Sequence, residues 1–131
     1  MAWVDVFAVL LVSHAAGDFL LQTGWQAMNK RAGLGHDAER RRALLAHVTT
    51  YTLAFVPAFA WLAGDLGAMG TVALAAGVFI PHLVQDDGRL LDAYVRAVKH
   101  TDPAPGMLML AVDQSLHLVV LFGLALAVGA A

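Results

Sequence analysis

The sequence predicts an all-α integral-membrane fold: a four-transmembrane-helix bundle with a short cytoplasmic interfacial helix. Three observations carry that expectation. Of the 131 residues, 60% are hydrophobic and only 14% are Asp, Glu, Lys or Arg, where a soluble domain has about a quarter charged. Four apolar runs come near the ~20 residues that cross a ~30 Å hydrocarbon core. All eight basic residues fall in two of the three connecting loops. A soluble enzyme, a nucleic-acid binder and a disordered tail do not fit this composition. The chain has no Cys, so disulfides and thiolate metal sites are excluded. The length suits one membrane domain, residues 1–131.

The first span covers about residues 2–21. Its start, Met1-Ala2-Trp3-Val4-Asp5, lacks the basic segment of a signal peptide, and the run contains His14 and Asp18; it is expected to stay as an anchor. The second span is 43–63 and the third 67–85, joined by Gly64-Asp65-Leu66-Gly67, a tight turn by its glycines. The fourth, 106–128, follows Pro103 and Pro105. Pro57 and Pro81 are expected to interrupt the second and third helices. Lys30, Arg31, Arg40, Arg41 and Arg42 lie in loop one; Arg89, Arg96 and Lys99 lie in loop three. The positive-inside rule puts both loops in the cytoplasm and both termini outside. Within loop three, Leu90, Leu91, Tyr94, Val95 and Val98 recur at helical spacing opposite Arg89, Asp92, Arg96 and Lys99, which predicts the interfacial helix.

Seven ionisable residues fall inside the spans: His14, Asp18, His47, His82, Asp86, Asp113 and His117. No Lys or Arg is expected at their depth. Carboxylates in lipid must be protonated, paired with imidazolium, or bound to metal. His14 and Asp18 are four apart, as are His82 and Asp86, Asp113 and His117, and His47 and Tyr51. That step puts both members of each pair on one helix face. The first and third helices run inward and read His-x-x-x-Asp; the fourth runs outward and reads Asp-x-x-x-His. Asp18, Asp86, Asp113 and His47 therefore form a layer towards the cytoplasm. His14, His82, His117 and Tyr51 form a second layer one turn, roughly 5.4 Å, deeper. Both lie within about 15 Å of the cytoplasmic boundary.

Such a convergence of imidazole and carboxylate is what a transition metal uses, with zinc first and manganese or iron as alternatives. All seven residues are candidate ligands for one or two divalent ions. A second division has the three deep His hold one metal while the Asp layer orients them. Asp18 or Asp113, left out of the shell, would serve as general base, and Tyr51 would donate to a developing oxyanion. Gln22 and Gln114 are placed to hydrogen-bond a ligand, while Asp87 and Arg89 are either solvated or at the mouth of the site. Helix-to-helix hydrogen bonding alone would also retain such pairs.

The segments His14-Ala15-Ala16-Gly17-Asp18-Phe19-Leu20-Leu21-Gln22-Thr23, His82-Leu83-Val84-Gln85-Asp86 and Asp113-Gln114-Ser115-Leu116-His117, with Trp25, Lys30 and His47, resemble a bacterial membrane family catalogued as domain of unknown function 3307. Where that family's pattern places a Lys shortly after the third-helix Asp, this chain has Arg89. The family is similar in layout to small membrane-bound metal-dependent hydrolases. The resemblance implies a multi-pass protein of the bacterial inner membrane. The expected activity is metal-dependent hydrolysis of a lipid-linked or amphiphilic ester, phosphoester before carboxylic ester. The alternative is a metal-ion or proton transporter built on the same cluster. Membrane lipid or a lipid-linked substrate and a second copy in a homodimer are the expected partners.

Overall fold

The structure is a computed structural model that describes residues 2–130. Within them the chain is helical, with no strand among the described residues. Helix α1 (Trp3–Ala15) continues into a π-helical turn, Ala16–Leu20, closed by the Leu21 N–H donating to the Ala16 carbonyl at 2.9 Å. Gly17 is needed there, because a Cβ would lie 2.7 Å from Tyr51 Cδ2 and 3.2 Å from Tyr51 Cα. Helix α2 (Gly24–Asn29) follows, set by a capping box. The Thr23 hydroxyl accepts from the Gln26 N–H, and the Gln26 side chain accepts from the Thr23 N–H. This pair satisfies two otherwise unpaired donors of a very short helix.

Helix α3 (Ala38–Ala54) starts at Asp37, whose side chain accepts from the backbone N–H groups of Glu39 and Arg40. Those bonds, Arg40 first, hold the Asp37 carboxyl below its ordinary range. Helix α3 ends inside the second expected span. Pro57, in the first turn of the next helix, has no N–H and crowds the carbonyl four residues back, so the helix is re-started after Phe55.

Helix α4 (Val56–Asp87) contains a break at Gly67, with φ 65° and ψ 179°. This is where the sequence expects a turn. The chain must fold back there: His82 and His47, 35 positions apart, meet at 3.1 Å, whereas an unbroken helix from Phe55 would carry His82 about 40 Å away. Pro81 lies within α4 without ending it, so the interruption expected there does not occur. Gly88, in the left-handed region at φ 82°, closes α4 and opens the predicted amphipathic helix, α5 (Arg89–Val98). Helix α6 (Met107–Gly129) completes the chain.

Three helical stretches are long and apolar enough to cross a membrane: Trp3–Leu20, Val56–Asp87 and Met107–Gly129. Two apolar clusters hold the packing. The larger joins Val6 and Leu10 of α1, Phe55, Leu62, Leu74 and Val78, and Leu121 and Ala125 of α6. The smaller seats Leu91 and Val95 of α5 on Met109 and Val112 of α6.

Loops one and three meet at one end. Asp87 is buried, not solvated. Its backbone carbonyl accepts from the Ala32 N–H at 2.8 Å and its carboxylate from the Leu34 N–H at 2.8 Å. Arg89 donates to both carboxylate oxygens, and that carboxylate raises the Arg89 guanidinium above its ordinary value. Arg31 pairs with Asp92 at 2.5 Å.

Candidate metal centre

Helix α1 with its π-helical turn, and helices α3, α4 and α6, bring the four residue pairs together, and His14, Asp18, His47, Tyr51, His82, Asp86 and His117 are all buried. Asp113 is partly open, with its side chain 23% exposed. The hydrogen-bond chain at one edge has a single consistent direction. The Gln114 amide lies 3.2 Å from Asp18 Oδ2 and 3.3 Å from Asp113 Oδ2. Carboxylates accept, so this is the NH₂ end and Gln114 Oε1 is the acceptor. His14 Nε2, 3.0 Å from that Oε1, therefore donates. His14 Nδ1 then carries a lone pair and accepts from the Tyr51 hydroxyl at 3.0 Å. Both His14 nitrogens are used by the protein, so His14 holds Tyr51 and Gln114 in place.

The centre of the cluster is different. Asp18 Oδ1, His47 Nε2, His82 Nε2 and Asp86 Oδ2 point at one another. His47 Nε2 is 3.2 Å from Asp18 Oδ1 and 2.8 Å from Asp86 Oδ2. His82 Nε2 is 3.6 Å and 3.2 Å from the same two oxygens, and the two imidazole nitrogens are 3.1 Å apart. Protons on both facing nitrogens would collide, so at most one of the two Nε2 atoms carries a hydrogen and the other offers a lone pair. Ligands held about 2.0–2.1 Å from a tetrahedral zinc stand about 3.3 Å apart. The five distances, 2.8 to 3.6 Å, bracket that edge. The four atoms form one group able to hold a metal ion.

A second such group shares Asp86 and adds Asp113 and His117. His117 Nδ1 donates to the Asp113 backbone carbonyl at 2.8 Å, which leaves a lone pair on Nε2. That nitrogen is buried without a partner and faces Asp86 Oδ1, an acceptor, at 3.4 Å. Two acceptors facing each other are reconciled either by a proton on Nε2, which makes an imidazolium–carboxylate pair, or by a metal ion between them. Asp86 presents Oδ2 to the first group and Oδ1 to the second, as a carboxylate bridging two ions does. The two groups mix the shallow and deep layers, so the division into three deep His ligands with an orienting Asp layer is not the one the geometry brings together.

The expectation that no basic side chain reaches this depth is corrected. Lys30 Nζ donates to Asp86 Oδ2 at 2.7 Å and to Gln22 Oε1 at 2.6 Å. The Lys is the residue that ends α2, so the short helix returns it towards the Asp/His cluster. The sequence signal for this was the capping pattern Thr23-Gly24-Trp25-Gln26, which marks a helix just beyond the first span. Tyr51 also lies otherwise than expected. Its ring stacks on His82 at 3.4 Å between centroids, 4° from parallel, while its hydroxyl is engaged by His14.

Fold and site together define a helical protein, with helices able to cross a membrane, that carries buried Asp/His groups able to hold metal. The chain belongs to the family described as protein of unknown function (DUF3307), which matches residues 6–130. No curated protein and no solved structure matches it.

Proposed function

We propose that the protein is a membrane-embedded, metal-dependent hydrolase of a lipid-linked or amphiphilic ester, phosphoester before carboxylic ester. The observation that carries this reading is the convergence of Asp18 Oδ1, His47 Nε2, His82 Nε2 and Asp86 Oδ2 at the spacing of a tetrahedral shell. We take zinc as the first candidate, with manganese or iron as alternatives, and one or two ions per chain. A bound divalent ion supplies Lewis acidity and a water of lowered pKa. The chain supplies the rest. Asp86 bridges the two groups, His117 offers an unshared lone pair, and Asp113, the open carboxylate, is placed to take a proton as general base. Asp18 is a ligand fixed by Gln114. The bond to His14 favours Tyr51 as a positioning residue over an oxyanion donor.

In this reading four segments cross the bacterial inner membrane. The second and third, 43–63 and 67–85, are the arms of the hairpin turning at Gly67. Loops one and three are cytoplasmic, both termini are outside, and the centre opens to the inner leaflet. Transport finds less support. Beyond Tyr51 and His82 the core is Val6, Leu10, Phe55, Leu62, Leu74 and Val78, which offers no polar route to the other face.

The test is elemental analysis of detergent-purified protein beside His47→Ala, His82→Ala and Asp86→Asn. Wild type is expected to hold stoichiometric zinc, manganese or iron, and each variant to lose it while keeping a wild-type helical signal. Wild type without metal after reconstitution would overturn the reading. Asp113→Asn is expected to lower phosphoester turnover about 10²–10⁴-fold; full turnover in that variant would remove Asp113 as base.

A further inference from the structure

A cavity of about 240 Å³ leads from the surface to Asp86 and Asp113, between α2, the end of α4 and the start of α6. Its walls divide by chemistry. Lys30 and Arg31 contribute cations, Asp86 and Asp113 carboxylates, and Met109 and Leu110 apolar surface. Leu110 is half exposed, so the apolar lining reaches the surface of the molecule. The Lys30 side chain is only 15% exposed, and a cation is not held there without an anion to meet it.

Charge arithmetic shows when it meets one other than Asp86. With neutral imidazoles, Asp18, Asp86 and Asp113 against Lys30 leave the site two charges negative, which repels anions. One divalent ion cancels that excess, and a second makes the site net positive. Asp86 is then shared with the ions, and the Lys30 ammonium, a compact donor with three N–H groups, has a donor left for another oxygen.

We infer that this cavity binds a phosphate monoester, with Lys30 holding the phosphoryl oxygens over the metal groups and the ester's organic part lying along Met109 and Leu110. The inference rests on the metal reading above and names the substrate class for the same centre. A phosphate monoester suits the site because its oxygens can meet the ions and Lys30 at once. The small volume admits a headgroup rather than a polymer.

The test uses zinc-reconstituted protein freed of unbound zinc, with its zinc content measured on the same samples. Calorimetric titration compares inorganic phosphate with dihexanoyl phosphatidic acid for wild type, Lys30→Met and Lys30→Arg. Lys30→Met is expected to keep wild-type zinc and to lose about tenfold or more in affinity for both probes, the loss of one charged hydrogen bond. Lys30→Arg is expected to restore most of it. Tighter binding of the lipid than of inorganic phosphate assigns a membrane-borne substrate, and equal binding assigns a soluble phosphate ester. Zinc-loaded wild type that binds neither probe, or Lys30→Met that binds both as wild type does, overturns the inference and leaves the metal reading standing. Loss of zinc in Lys30→Met overturns it too, by making Lys30 part of the metal site's charge balance. Wild type that holds no zinc overturns both.

Discussion

At the scale of single residues, the chain Tyr51–His14–Gln114–Asp18 separates the groups that hold the site from those that have something left to bind. Every donor in it has an acceptor, whereas Asp18 Oδ1, His47 Nδ1, His82 Nδ1 and His117 Nε2 are buried with no hydrogen-bond partner. A test follows from that contrast. Tyr51→Phe keeps the ring on His82 but leaves His14 Nδ1 without its donor, at a cost of about 1–3 kcal/mol. The unfolding midpoint in detergent is expected to fall while metal content stays at the wild-type level. Loss of metal would instead make Tyr51 part of the shell. The membership of the site was legible in the sequence, because four polar pairs at a helical step and one depth are costly in lipid unless they meet. The division of labour was not. Which imidazole nitrogen is free depends on partners 37 and 100 residues away, and no local pattern encodes them.

At the scale of elements, the same contrast separates periodic from irregular structure. The amphipathic run 90–98 reads directly as α5, because its period survives packing. The π-helical turn after α1 leaves no such trace, since an α-turn and a π-turn there have the same composition. Its effect appears only in the close approach of Gly17 to Tyr51. Gly67 shows the reverse, a turn legible from its glycines whose strain the structure then specifies. A backbone at φ 65° and ψ 179° lies in a region that is essentially reserved for Gly. Nothing stands within 4 Å of a Cβ added there, so Gly67→Ala isolates backbone strain from crowding. The variant is expected to lose about 1–3 kcal/mol in a detergent unfolding titration, with metal still bound after refolding. An unchanged stability would mean that the hairpin turns elsewhere.

At the scale of the whole molecule, the charges and the packing say one thing by independent routes. The basic residues sit in alternate loops of the sequence, and the structure brings those loops together through Asp87 to Ala32, Leu34 and Arg89 and through Arg31 to Asp92. Residues 64–67 belong to the other end, because the chain must travel the full length of both arms to bring His82 back to His47. In the topology we propose, a membrane lies between these ends with the basic face in the cytoplasm, as the positive-inside rule expects. The wild-type chain has no Cys, so single cysteines report side without background. His36→Cys, Asp65→Cys and His100→Cys each replace an exposed residue. In intact cells a membrane-impermeant maleimide is expected to label Asp65→Cys alone, and the other two only after permeabilisation. Labelling of all three from outside, or of none, would put both arms of the hairpin on one side of the bilayer and leave the first and fourth segments as the spans. The inverse pattern would keep four spans and turn the centre, with its Lys30 cavity, to face the outer leaflet.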